Sequence, residues 1–251
     1  VATGEWTGGH IQGIAIDTER KYIYYSYTTD LIKADLDGNV IGTVGGLTGH
    51  LGCLAFNGGD NCVWGSIEYK HDSIGKGIMA RTGVKLADED AFYIAIFDVD
   101  KIDRIGMDAE KDGIMKAVYI PDVVDWYDGK RADGSDNAFT VSGIDGISIG
   151  PVFGAPKDSE TRLMLCSGIY ENPEINSEND YHTILQFDWR ELDKIAAPLS
   201  QLEPHHQNDR LRFESPKGLK NKFKNNEIPG DLKGTLGDWR MQMPSYLACC
   251  N

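Results

Sequence analysis

No run of this sequence reaches the roughly eighteen consecutive apolar residues that a membrane-crossing helix requires, so a helical span is excluded. Basic residues are scarce, with 25 Lys+Arg against 39 Asp+Glu and a net charge of −14. Nucleic acids and anionic membrane surfaces are bound through clustered cations, so neither is an expected partner. An even cysteine framework is missing too. Cys53, Cys62, Cys166, Cys249 and Cys250 are five in number, which does not suit a small disulfide-stapled module. The first three lie in apolar runs and read as buried thiols; the adjacent pair at the end reads as free or intermolecular. There is no His-Glu-x-x-His, no Cys-x-x-Cys, no phosphate-binding glycine loop and no dinucleotide fingerprint. The chain opens at Val1 without the basic and apolar blocks of a signal peptide, which leaves the compartment open.

What the sequence does hold is 29 glycines spread along its length and short apolar runs between turn signals. The acidity is confined to residues 1–202, which carry 33 acids and 17 bases; residues 203–251 carry 6 acids and 8 bases. Self-comparison divides the chain at the same place. Gly9-His10-Ile11-Gln12-Gly13-Ile14-Ala15-Ile16-Asp17 aligns without a gap on Gly49-His50-Leu51-Gly52-Cys53-Leu54-Ala55-Phe56-Asn57, at a spacing of forty. Tyr22-Ile23-Tyr24-Tyr25-Ser26-Tyr27 then falls on Cys62-Val63-Trp64-Gly65-Ser66-Ile67. A looser third copy starts at Ser142-Gly143-Ile144-Asp145-Gly146-Ile147-Ser148-Ile149 and continues at Leu163-Met164-Leu165-Cys166-Ser167.

Each unit predicts short antiparallel strands. The first has strands near 11–16, 22–27, 31–35 and 40–44, with a hairpin at Asp37-Gly38. The second has them near 51–56, 62–68, 92–98 and 114–120, and the third near 145–149, 163–169 and 182–188. The insertions 69–91 and 121–141 are polar and Gly-rich and read as loops; residues 98–102 and 189–195 suit single helical turns. Four strands per forty residues is the arithmetic of a propeller blade. The expected fold is therefore all-β, a β-propeller of four-stranded antiparallel blades at about 8–48, 49–141 and 142–202. Residues 203–251 form an atypical tail, so the propeller is incomplete or ends in a degenerate blade; an incomplete one leaves an open edge for self-association.

Gln12-Gly13-Ile14-Ala15-Ile16-Asp17 and Asp145-Gly146-Ile147-Ser148-Ile149 resemble the first-strand signature of the propellers that include NHL-repeat and SMP-30/gluconolactonase-like proteins. The resemblance covers roughly residues 8–202 and is nearest to uncharacterised bacterial propeller-type proteins. It implies a ligand or metal site at the channel mouth, where acidic and Asn side chains hold the metal in SMP-30-like proteins. Asp145 matches such a position, whereas Gln12 stands where a carboxylate is expected.

The candidate site residues follow from the repeat. His10 and His50 occupy one repeat position, and Gln12 and Asp145 another two residues on, hence on the same side of a strand. His10, His50 and Asp145 are the candidate metal ligands, of types that suit zinc or, with Gln12, calcium. The alternative is that the recurring histidines bond a neighbouring blade's backbone. Glu68 and His71 open the first insertion and either complete a site with His50 or are solvated loop charges. Trp126 sits in an acid-flanked inserted loop, as a stacking platform for a sugar or peptide or as a cap on the blade below. Asp108-Ala109-Glu110-Lys111-Asp112-Gly113 reads as an acidic turn, because Tyr119 stands where a calcium loop needs Glu. Gly146-Ile147-Ser148-Ile149-Gly150 has a nucleophile-elbow pattern but lies within a strand, with Pro151 following and no helix. The expected function is a propeller-type binding or scaffold protein for a small molecule, saccharide or protein partner. A metal-dependent hydrolase or lactonase of SMP-30-like type is the alternative.

Overall fold

The computed structural model describes residues 9–84, 90–120, 141–151, 156–169 and 183–202. These are predominantly β-strand with few helices, an all-β protein whose sheets are open. The chain divides into two compact units, one carrying the first nine strands together with Asp193–Leu202, the other carrying the last three.

In the first unit, β1 (Gly13–Asp17), β2 (Tyr22–Tyr27), β3 (Asp30–Asp35) and β4 (Val40–Gly45) form an antiparallel meander. A second meander follows: β5 (His50–Asn57), β6 (Cys62–Tyr69), β7 (Ala91–Asp98) and β9 (Met115–Tyr119). The short β8 (Met107–Asp108) leaves the β7–β9 connection to pair in parallel with β4. These bounds lie close to those the apolar runs predict. The acidic stretch 108–113 lies between β7 and β9, as expected of a turn; Asp108 accepts from the backbone N–H groups of Glu110 and Lys111.

Matching pairs recur at the spacing of forty. Ile14 pairs with Tyr25 and Leu54 with Gly65; Asp17 pairs with Tyr22 and Asn57 with Cys62. Lys21 and Asn61, in the corresponding turns, both hold positive φ, 62° and 58°. In each turn the last strand residue turns the chain: Asp17 Oδ1 accepts from Glu19 and Arg20 N–H, and Asn57 Oδ1 from Gly59 N–H.

Strand alternation sorts the second meander into two apolar faces. Val63, Ile67, Tyr69, Tyr93, Ala95, Phe97, Ala117 and Tyr119 join Tyr24, Leu31 and Val44 of the first meander in one core. Its rings interlock, Tyr69 edge-on to Tyr93 at 5.6 Å and Tyr24 stacked on Phe56 at 6.3 Å. Each such ring, once buried, contributes about 1.5–3 kcal/mol. The opposite face, with Trp64, Phe92, Ile94, Ile96 and Val118, is equally buried. The Trp64 indole N–H donates to Asp60, whose carboxylate burial pushes above its usual pKa. On the first meander the outer face is less covered, with Ile14 and Ile16 nearly half exposed.

Buried Lys33 links the first meander to the 3₁₀ turn Val99–Lys101. Its ammonium donates to the carbonyls of Val99 (2.8 Å) and Ile102 (3.2 Å) and lies over the Tyr22 ring. Ala197 forms a two-bond bridge with Ala117, so the chain itself occupies part of the β9 edge.

The first insertion differs from expectation. Between β6 and β7 lies a ten-residue helix, α1 (Ser73–Thr82), and not loop alone. Asp72 caps its N-terminus, accepting from Gly75 N–H at 2.9 Å, and Gly83 ends it at φ 75°. Two glycines and a narrow buried stripe of Gly75 and Ile78 hide this helix from any apolar-period search.

In the second unit β10 (Val141–Pro151), β11 (Thr161–Ile169) and β12 (Thr183–Phe187) form a three-stranded antiparallel meander. Along the chain the helix Trp189–Ile195 comes next, at the expected position. Ser148 pairs with Met164 in mid-strand, as the strand reading of Gly146–Gly150 requires. Cys53 and Cys62 form no disulfide but are half-buried, where full burial was expected. Burial and the nearby Asp60 push the Cys62 thiol up to about 12, so it stays protonated and unreactive. Cys249, Cys250 and the rest of the tail, 203–251, lie outside the described residues.

Candidate functional site

The starts of β1 and β5 lie against each other, and backbone chemistry sets their approach. Leu51 N–H donates to Thr28 O at 2.9 Å, and the buried Ser26 hydroxyl donates to Gly52 O. Gly52 and Cys53 form a bulge opposite Ser66, whose hydroxyl accepts from Cys53 N–H at 3.1 Å. A bulge turns neighbouring side chains away from strict alternation, a device common near binding sites.

Four of the expected residues gather in this unit. Gln12 extends the ladder from β1, its N–H donating to Ser26 O, and its side-chain amide donates to His10 Nε2 at 2.9 Å. That bond leaves a neutral His10 with its proton on Nδ1. His50 opens β5 and stands directly across from Glu68 on β6, which is 9% exposed. The Nε2 atom of His50 is buried and has no hydrogen-bond partner. Such an unsatisfied group carries a cost of about 1–3 kcal/mol unless something arrives to pair with it.

Burial holds the His50 pKa below its ordinary value; the Asp72 carboxylate opposes this, and charge on His10 or Lys70 reinforces it. Glu68 faces it from β6. A histidine with a depressed folded pKa takes up fewer protons folded than unfolded below pH ~6.5. Its contribution to stability is therefore complete above that pH and is lost as pH falls through the folded value. The urea midpoint is expected to fall between about pH 7 and pH 5.5, and His50→Gln is expected to flatten that slope; an unchanged slope would assign it to other groups.

His71 is committed to Asp90, ring Nδ1 and backbone N–H both within 3.1 Å of the same carboxylate oxygen, where it clasps the neck of the α1 insertion. Asp145, half-exposed, sits at a bulge of β10 between the pairs Ile144–Ser167 and Gly146–Cys166, in the second unit. Trp126 and His182 lie outside the described residues.

Comparison with protein families, curated proteins and solved structures finds no match. Among the described residues no three His, Cys, Asp or Glu side chains are placed to hold a metal ion, and His10 Nε2 already accepts from Gln12. What the site offers is a largely neutral imidazole with a vacant nitrogen, a carboxylate, an amide and a second imidazole. This is hydrogen-bonding equipment for a polar ligand.

A concavity of about 200 Å³ lies between Gly46, Asp108, Met115 and Leu199. Its carboxylates are already engaged, Asp108 by Lys111 (3.0 Å) and Glu110 by Ser200 N–H (2.7 Å). Sequence reasoning missed Asp72, Arg81 and Thr29, the residues that seat α1 beside His50. Only the cap pair Asp72 and Gly83 signalled them.

Proposed function

We propose that this chain is a propeller-type binding protein, with a polar small molecule or saccharide recognised where β1 and β5 begin, by His10, Gln12, His50 and Glu68. The observation that carries the reading is the buried, unsatisfied Nε2 of His50 opposite the Glu68 carboxylate. The blade interpretation is supported by three antiparallel meanders that each start on an edge strand, by matching pairs at a spacing of forty, and by a second sheet buried on both faces. It also rests on the first-strand resemblance to NHL-repeat and SMP-30-like proteins.

Thermal melting of the protein with a panel of neutral mono- and disaccharides tests the reading. A ligand at a hundred times its Kd adds about 2.7 kcal/mol, which for a chain of this size raises Tm by roughly 5–10 °C. His50→Ala and Glu68→Gln are expected to abolish the shift. A panel without a hit, or a hit indifferent to both substitutions, would overturn the assignment of this site. Stoichiometric calcium or zinc that disappears in His10→Ala and Asp145→Ala would instead favour the metal-dependent hydrolase.

A further inference from the structure

The first insertion is longer than its connection requires. Tyr69 and Ala91 are paired directly across β6 and β7, so a turn of a few residues would join them. The chain instead leaves the sheet after Tyr69, and α1 in this insertion contacts β5, the strand that begins at His50. The N-cap Asp72 and its neighbour Lys70 lie close enough to shift the charge balance of the imidazole. We propose that α1 is an opening cover over the His50–Glu68 pair and governs access to it. This rests on the binding site assigned above.

The closed state is held by a small set of contacts. Ile78 is buried, Arg81 Nη2 donates to Thr29 Oγ1 at 2.6 Å, and the His71–Asp90 clasp closes the neck. Against these stand two weaknesses. Gly75 and Gly77 lower the helix's own stability, and in this state His50 Nε2 is buried with nothing to pair with. Opening would relieve the second by exposing imidazole and carboxylate together, to water or to a ligand. A cover needs balanced closing and opening terms of this kind, because a segment with strong packing and no internal cost has no reason to move.

Carbethoxylation of histidines by diethyl pyrocarbonate, resolved by mass spectrometry on the full chain, reads the open population without any ligand. His10, which is exposed, serves as the internal reference. In the parent protein His50 is expected to react more slowly than His10. Arg81→Ala, which removes a charged hydrogen bond from the closed state, is expected to raise the His50 rate about tenfold with His10 unchanged. Gly77→Ala strengthens the helix at a position with open space around it and is expected to slow His50 about fivefold. That variant stabilises the fold, so a slower rate cannot come from misfolding. A His50 rate equal to that of His10, or unmoved by both substitutions, would overturn the proposal. The outcome does not depend on the saccharide panel, so a failed cover and a failed binding site are separately visible.

Discussion

Gly13→Ala is expected to lower stability by about 3 kcal/mol, at the top of the usual range for overpacking a close contact. Gly13 has ordinary backbone angles, so the loss does not come from conformational strain. A Cβ at this position would stand 2.7 Å from Gly52 O, 2.8 Å from Leu54 N and 2.9 Å from the Cys53 Cα. All three are backbone atoms of β5, and none can swing aside as a side chain would. The β1–β5 approach would have to widen, loosening the Ser26 hydroxyl bond to Gly52 O and the Gln12 and His50 positions that depend on it. Gly58→Ala is the control, since a Cβ there meets nothing within 4 Å, and should be neutral within about 0.5 kcal/mol. Urea unfolding of both variants decides the matter. A Gly13→Ala midpoint like that of Gly58→Ala would mean the two strands are not in close backbone contact.

Asp17→Ala is expected to cost a similar amount, about 3 kcal/mol, by a different route. The Asp17 carboxylate is 1% exposed and collects the backbone N–H groups of Glu19 and Arg20 together with the Arg20 guanidinium. Arg20 also reaches Asp100 in the 3₁₀ turn after β7, so one side chain joins both meanders of the unit. Without Asp17 the turn loses its acceptor and a partly buried cation loses its main partner. Asp17→Asn should recover part of the loss, because Asn57 makes the same kind of turn forty positions on. Burial raises the pKa of Asp17, but the hydrogen bonds from Arg20 and Glu19 and the guanidinium charge outweigh it, and the net direction is down. Its contribution is therefore present above pH ~4 and is lost as pH falls through the lowered folded value. Parent and Asp17→Asn should therefore differ in stability above pH ~4 and converge as acid protonates the carboxylate of the parent. Coincident acid profiles would show that the carboxylate charge does not matter there.

Much of the strand layout was legible because a strand exposes its rule locally. Alternating apolar residues between turn formers place β1 to β7 within a residue or two, and Asp37-Gly38 marks the β3–β4 hairpin. The site was partly legible. The paired positions of His10 and His50 pointed to the start of two strands, and Glu68 and His71 were both offered as companions of His50, with nothing in the sequence to choose between them. Glu68 is set across from His50 by the antiparallel register of β5 and β6, including a bulge that no residue pattern announces. His71, three residues after Glu68, turns instead to Asp90, because β6 ends between them and the chain leaves the sheet.

By itself, then, the sequence determined the all-β class, the strand positions, the turn chemistry and the shortage of cations, since each depends on neighbouring residues or on composition. Tertiary structure alone decided which side chains share a site, that the insertion folds back as a helix, and that Gly13 has no room for a methyl group. Those outcomes depend on backbone segments brought together from distant parts of the chain, and the distances between them are written in packing and register rather than in any local run of residues.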